Sequence, residues 1–399
     1  MNITVCRHRR QALSSTVHGL GVAVFSGLAL GGCSSLDTVT SWMPWGSSKP
    51  KLPVLPDLSG ENKISLMWRV GVGELGQGFA PCILDRKLMV ATRSGRLLAF
   101  DLGSGERQLD YQHRRGFSTG VSSAEGLLLV ASMDGFLLAL NQDGSSRWST
   151  FLGAEAVSIP EAGSGIVVVR TSDNRIQAFD LERGQVRWSV ARQSPPLVLR
   201  STNAAHIQGD AVYMGLPGGR MLALRASNGQ VLWEAAVSTP RGTTEIERLS
   251  DVLGRPIVDG NDVLAASFQG KLSNFDRLSG QVRWSREVNV AGGIAADGQQ
   301  VVAVDDRGQL QAFSRNGAPQ WKQESLRGRR LSAPVLATRM ALVADEEGVL
   351  HALGREQGQF IGRLNIASAP LACAPMVEQT QGWTLAVDGS VCGFRMNNA

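Results

Sequence analysis

From residue 87 onward the chain repeats one unit, and this periodicity limits its possible folds more than any other feature. The register is a turn glycine followed five residues later by Phe or Leu. It appears as Gly95 with Phe100, Gly135 with Leu140, Gly219 with Leu224, Gly270 with Phe275, Gly308 with Phe313, Gly348 with Leu353 and Gly389 with Phe394. Asn174 with Phe179 takes the third place. Asn and Gly both tolerate the positive φ of a tight hairpin, and residues 87–92 and 96–100 on either side of the first turn alternate as strands do. A second turn glycine follows at 105, 144, 184, 229, 280, 317 and 358, and four residues beyond it stands a tryptophan at 148, 188, 233, 284 and 321. Leu109 and Gly362 fill the other two places.

Successive Phe/Leu markers lie 40, 39, 45, 51, 38, 40 and 41 residues apart, a period that means four strands per unit. A four-stranded blade has two unpaired edges and cannot bury both faces alone, so eight such units predict a closed, all-β, eight-bladed β-propeller over residues 61–399. The repeat resembles that of quinoprotein-like propellers. The eighth unit reaches Ala399 without an outer strand, whereas Leu66-Met67-Trp68-Arg69-Val70 is a strand without a unit. This N-terminal strand is expected to complete blade 8. Trp68, Trp148, Trp188, Trp233, Trp284 and Trp321 are accordingly read as inter-blade packing.

The N-terminus reads differently. Residues 1–10 are charged, 17–30 form a short apolar run broken by glycine, and small residues follow, which is the architecture of a secretory signal over residues 1–32. Leu30-Gly31-Gly32-Cys33 is similar to a bacterial lipobox, making Cys33 the expected lipidated N-terminus, and an acyl chain contributes about 0.8 kcal/mol per buried CH₂. Ser34 and Ser35, with no Asp beside Cys33, resemble the pattern sorted to the outer membrane. Pro44, Pro50, Pro53 and Pro56 make residues 33–60 an extended tether. Its Trp42 and Trp45 are not assigned a role. The formal charge of +5 includes Arg7, Arg9 and Arg10 of the signal; without them 37 basic side chains face 35 acidic ones, which gives no footprint for nucleic acid. Arg327, Arg329 and Arg330 read as a solvated loop.

In a four-stranded meander the turn between strands two and three lies on the same face as the connection to the next blade. The two long intervals fall in adjacent connections, residues 193–206 and 238–256, and so mark one face and one sector as the recognition surface. Leu197, Leu199, Ile246 and Leu249 there would be costly to leave wet unless packed or covered by a partner.

Other motifs lack their chemistry. Gly71-Val72-Gly73-Glu74-Leu75-Gly76 fits a dinucleotide fingerprint but no helix is expected after it. Gly116-Phe117-Ser118-Thr119-Gly120 is expected on an inner strand, not on a nucleophile elbow. His113, His206 and His351 lie on different blades without ligand or triad spacing. Asp305-Asp306 and Asp345-Glu346-Glu347 read as solvated turns and not as Ca²⁺ loops. Cys373 and Cys392, on the first and third strands of blade 8, are too far apart for a disulfide, and pairing of Cys82 with Cys373 is left open. No catalytic residue, metal ligand or cofactor is assigned.

With lipobox, tether, eight blades, Leu197-Val198-Leu199-Arg200 and Thr244-Glu245-Ile246-Glu247-Arg248-Leu249-Ser250-Asp251-Val252 in view, the whole chain resembles the BamB family, the propeller lipoproteins of the bacterial outer-membrane β-barrel assembly machinery. The resemblance implies a non-enzymatic scaffold, lipid-anchored at the periplasmic face of the outer membrane. Its implied partner is the barrel-inserting subunit, met through periplasmic domains, with unfolded outer-membrane proteins as further partners. It makes Leu197, Leu199, Arg200, Glu245, Arg248 and Asp251 contact candidates. One departure is Leu253, where the family pattern places a second acid. The blade repeat alone is also similar to quinoprotein dehydrogenases, so the alternatives are a periplasmic oxidoreductase or an envelope ligand-binding propeller; no adjacent cysteine pair of the former kind is present.

Overall fold

The structure is a computed structural model that describes residues 52–58, 60–199 and 204–397. The signal, Cys33, Trp42, Trp45 and Arg200 lie outside the described residues. The described residues form eight four-stranded antiparallel sheets. Blade 1 runs from Cys82–Leu84 to Arg107–Gln112, and blades 2 to 7 repeat its order. First strands of successive blades contact one another, so they line the axis of a ring, and fourth strands form its rim. The core lies between blade faces: one cluster joins Ile166, Val168 and Ile176 of blade 3 to Val212, Met214 and Leu222 of blade 4.

The ring closes as the strand count demanded. Blade 8 consists of Met376–Glu378, Gln381–Leu385, Ser390–Met396 and, as its fourth strand, Ile64–Gly71. The closing strand pairs antiparallel with Ser390–Met396 from Ile64 opposite Met396 to Gly71 opposite Ser390, with a bulge between Leu66 and Trp68.

One contact recurs around the rim. Each tryptophan on a fourth strand lies against the second turn glycine of the next blade, and its indole N–H donates to a carbonyl in that turn. Trp68 donates to Leu102 (3.0 Å), Trp148 to Leu181 (2.9 Å), Trp188 to Ala226 (2.7 Å), Trp233 to Arg277 (2.9 Å), Trp284 to Arg315 (2.9 Å) and Trp321 to Arg355 (2.6 Å). A side chain at the glycine is excluded twice over. The φ of Gly184 is +68°, and a Cβ there would come within 2.4 Å of the Trp148 ring.

The two irregular places have separate causes. Leu109 occupies the tryptophan register opposite Ala99, yet the ring against Gly144 belongs to Tyr111, two residues further along the same strand face. At the other place, blade 8 has no turn joining its third strand to its fourth, because the fourth arrives from the N-terminal side. Gly362 leaves room there for the incoming strand, and a Cβ on it would meet Asn62 at 2.9 Å and Ile64 at 3.0 Å.

Several expectations are corrected. The strand of blade 5 starts at Val252, so the second long connection is residues 237–251 and not 238–256. Residues 116–120 lie in the connection before the inner strand Ser122–Ala124, not on it, and Cys373 precedes the first strand of blade 8. Cys82, Cys373 and Cys392 are free thiols, and burial pushes Cys82 and Cys373 up to about 12. Asp345 and Arg329 are not solvated but buried, at 1% and 5% exposure. After residue 76 no helix follows among the described residues.

Trp68 packs at the non-covalent seam, so Trp68→Ala removes a buried indole where no peptide bond holds the blade together. We expect a loss of about 3–5 kcal/mol by urea unfolding, the scale of a buried aromatic deletion.

Candidate docking surface

The two long connections are residues 192–205, between blades 3 and 4, and residues 237–251, between blades 4 and 5. Both leave the ring on the face of the second-to-third strand turns, and one carboxylate ties them together. Asp251 is 2% exposed. Its Oδ2 accepts the Leu199 N–H at 2.6 Å and its Oδ1 the Gly218 N–H at 2.9 Å, while its carbonyl accepts the Phe268 N–H at 2.9 Å. One residue thus fastens the first connection and the turn of blade 4 through its side chain, and the turn of blade 5 through its backbone. Arg170 of blade 3 supplies opposing charge: burial pushes its guanidinium below its usual range, and the Asp251 carboxylate counteracts this.

The second connection is stiffened locally. Thr244 and Glu247 form a reciprocal cap on a single helical turn. Glu247 Oε2 accepts the N–H groups of Thr243 (2.8 Å) and Thr244 (3.0 Å), and Glu247 N–H donates to Thr244 Oγ1 (3.2 Å). Those bonds hold Glu247 below the usual carboxylate range. The Gln269 amide of blade 5, oriented to donate, reaches the carbonyls of Ile246, Glu247 and Leu249 from beneath. The chain enters the turn at Gly242, whose φ is +117° and where a Cβ would come within 2.3 Å of the Glu247 Cβ, so no side chain fits.

The remaining candidates divide by exposure. Leu197 and Ile246 are exposed (41% and 67%), as is Val198 (40%), which the residue reading did not single out. Glu245 and Arg248 are exposed on the capped turn. Leu199 and Leu249 are half-buried, and Asp251 points inward, so it positions the patch and is not part of its surface. Beneath Val198 and Leu199 lies a cavity of about 310 Å³ bounded by Val157, Arg170, Asn174 and Pro217. The Thr244-x-x-Glu247 spacing was a readable signature of the cap; nothing in the sequence marks Gly218 or Gln269 as supports.

The axial channel contains a cavity of about 750 Å³ whose lining includes small residues such as Gly78, Ala80, Ala291, Gly292, Ala333 and Ala372. At one side Arg255 of blade 5 reaches past blade 4 to pair with Glu161 of blade 3. Among the described residues no group of three or more His, Cys, Asp or Glu could hold a metal ion.

The family model described as "Outer membrane protein assembly factor BamB" matches residues 93–323. A protein of that name from Bordetella pertussis is 33% identical over 94% of this chain and 97% of its own length. The chain belongs to the BamB family. A Burkholderia pseudomallei member is 32% identical over 83% of this chain and 88% of its own. The crystal structure of BamB from Moraxella catarrhalis superposes with a TM-score of 0.76 at 25% identity, covering 83% of this chain and 99% of that one. A quinohemoprotein alcohol dehydrogenase from Comamonas testosteroni has a TM-score of 0.68 at 13% identity, a likeness of fold alone.

Two measurements probe this region. Asp251→Ala strands the buried N–H groups of Leu199 and Gly218, so we expect a loss of about 1–3 kcal/mol together with faster proteolysis within residues 192–205. The second concerns pH. Burial, with Arg255 adding to it, pushes His206 down to about 4, whereas an unfolded imidazole titrates near 6.5. Between these values the unfolded chain takes up a proton that the native ring refuses, so stability falls as pH drops from about 6.5 towards 4. Burial lowers His113 and His351 in the same direction. The Tm should therefore decline across this window, and His206→Gln should flatten part of the decline.

Proposed function

We propose that this chain is a non-enzymatic scaffold lipoprotein that docks periplasmic domains of the barrel-inserting subunit and so assists assembly of β-barrel proteins in the outer membrane. Its family is one of outer membrane protein assembly factors. Acylation at Cys33 tethers the ring to the periplasmic face of that membrane, and residues 33–51 span the distance.

The observation that carries the docking assignment is the pinned patch. Leu197, Val198 and Ile246 stand exposed on connections fastened by buried Asp251 and by the Thr244/Glu247 cap. Ordered backbone beneath exposed apolar groups means that little conformational entropy is lost when a partner covers them. Fully burying a Leu or Ile side chain contributes about 1.5–3 kcal/mol, and covering the exposed parts of Leu197 (41%) and Ile246 (67%) contributes the corresponding fraction. Glu245 and Arg248 flank Ile246 and supply polar contacts at the rim of the interface, where charges govern orientation and on-rate more than affinity. Anchoring to one membrane raises the effective concentration of the two partners, so a modest interface suffices. Unfolded outer-membrane proteins meet the docked subunit beside this ring.

Leu197→Asp combined with Ile246→Asp places two carboxylates on exposed positions and leaves the core untouched. In a pull-down from detergent-solubilised envelope, the wild type should retain an outer-membrane barrel protein. The double variant should lose about 10-fold or more of it while its unfolding curve stays unchanged. Equal capture by both proteins, or quinone-dependent dye reduction by the wild type, would reject the assignment.

A further inference from the structure

The buried charges of blade 7 are completed by the segment that precedes the closing strand. Asp345 Oδ2 accepts from Arg329 (2.7 Å) and lies 3.1 Å from His351 Nε2, with both acid and imidazole fully buried. Arg329 Nη2 then donates to the Pro53 carbonyl at 3.0 Å. On the rim, Arg363 Nη2 donates to the Pro56 carbonyl at 2.9 Å, and its Nε faces His351 Nδ1 at 3.4 Å. Two guanidiniums thus use backbone oxygens of an extended, proline-containing segment as acceptors. Proline contributes a carbonyl and no N–H, so at both positions the segment offers acceptors only.

Apolar and edge contacts act along the same line. Leu55 and Leu58 pack against the core cluster shared by blades 6 and 7, next to Trp321, Leu331 and Leu336. Asn62 imitates a strand residue: its Oδ1 accepts the Arg363 N–H (3.0 Å), its Nδ2 donates to the Arg363 carbonyl (2.7 Å), and Lys63 N–H donates to the Ile361 carbonyl (3.0 Å). These bonds cap the otherwise open edge of the outer strand Phe360–Asn365.

The contacts also give a direction. Pro53 lies against Gly328, beside Arg329, in the blade 6 to blade 7 connection, on the face of the two long connections. Pro56 meets the Arg363 side chain and Asn62 the Arg363 backbone, midway along the outer strand of blade 7, and Lys63 bonds Ile361 nearer the opposite face. There the chain reverses into the closing strand.

We propose that residues 52–58 and 60–63 act as a strap that fixes where the chain leaves the ring, on the face bearing the docking connections, so that the anchor draws this face towards its membrane-bound partner. The exit point stands on the contacts above; its use in docking rests on the proposed function. Counted from Cys33, 19 residues, 33–51, precede the strap, in place of the 30 from 33 to 62 that precede Lys63. At about 3.3–3.6 Å per residue this shortens the maximum reach from roughly 105 Å to roughly 65 Å. By the −3/2 power of length the gain in effective concentration is only about twofold, so the choice of face is the larger effect.

The test uses the full-length lipidated chain with Cys82, Cys373 and Cys392 replaced by Ala. Val54→Cys and Arg327→Cys, both exposed, should be joined by a short bismaleimide, whereas Val54→Cys with Asn316→Cys in the outer turn of blade 6 should not. Leu55→Asp with Leu58→Asp should lower the first cross-link about fivefold, the scale of a lost effective concentration. Leu55→Ser is the milder change should the double variant fail to fold, and it should act in the same direction. Capture of the barrel protein in native membranes should fall with release of the strap, while capture by a soluble form lacking residues 1–33 should not. Failure of the Val54 to Arg327 cross-link in the wild type, or membrane capture unaffected by strap release, overturns the strap. Absence of capture by the soluble wild-type ring instead overturns the docking reading and leaves the cross-link result to stand on its own.

Discussion

An indole resting on a backbone that has no Cβ is the contact on which this ring depends. Each blade is a sheet with two apolar faces, and stacking neighbours buries both, but apolar stacking is non-directional and does not by itself set the angle between sheets. The tryptophan adds direction. Its ring meets a positive-φ glycine in the next blade, and its N–H is satisfied by a carbonyl in the same turn, as with Trp148, Gly184 and Leu181. Repeated around the rim, this contact holds each outer hairpin at a fixed distance from its neighbour. The exceptions obey the same logic, with Tyr111 reaching Gly144 and Gly362 yielding to Ile64 where blade 8 offers no turn to cover.

A frame so regular makes its irregularities informative. The two long connections are adjacent, and their order comes from groups aimed inward: the Asp251 carboxylate, the Glu247 cap and the support of Gln269. Among the groups they present outward are three apolar side chains, Leu197, Val198 and Ile246, beside charged ones such as Glu245 and Arg248. Rigid support and exposed hydrophobic groups are thus supplied by different residues, so the patch can be altered chemically without loosening its scaffold.

Much of this was legible in the residues. Eight blades follow from the turn glycines, and the assignment of the closing strand follows from Trp68 lacking a unit while the eighth unit lacked a strand. The phase of each hairpin was readable because a two-residue side-chain period leaves little freedom once one face is buried. What failed was the direction of charged side chains in connections. Asp251 reads as a surface acid and Arg329 as part of a solvated basic loop, because local sequence carries no record of which distant N–H groups or carboxylates converge on them. Asp251 is satisfied by Leu199 and Gly218, and Arg329 by Asp345, Glu347 and Pro53. The same limit explains Leu109, where the spacing marked the right register but the neighbouring blade selected Tyr111.

The seam has a consequence for how the molecule comes into being. Ile64 pairs with Met396, so the earliest strand to emerge during synthesis is matched with the last. Blades 1 to 7 can each form as local meanders while the chain is still arriving, yet Ile64–Gly71 has no partner until Ser390–Met396 has been made. For that interval the closing strand waits with both edges open, the state in which a newborn chain is most exposed to wrong pairing.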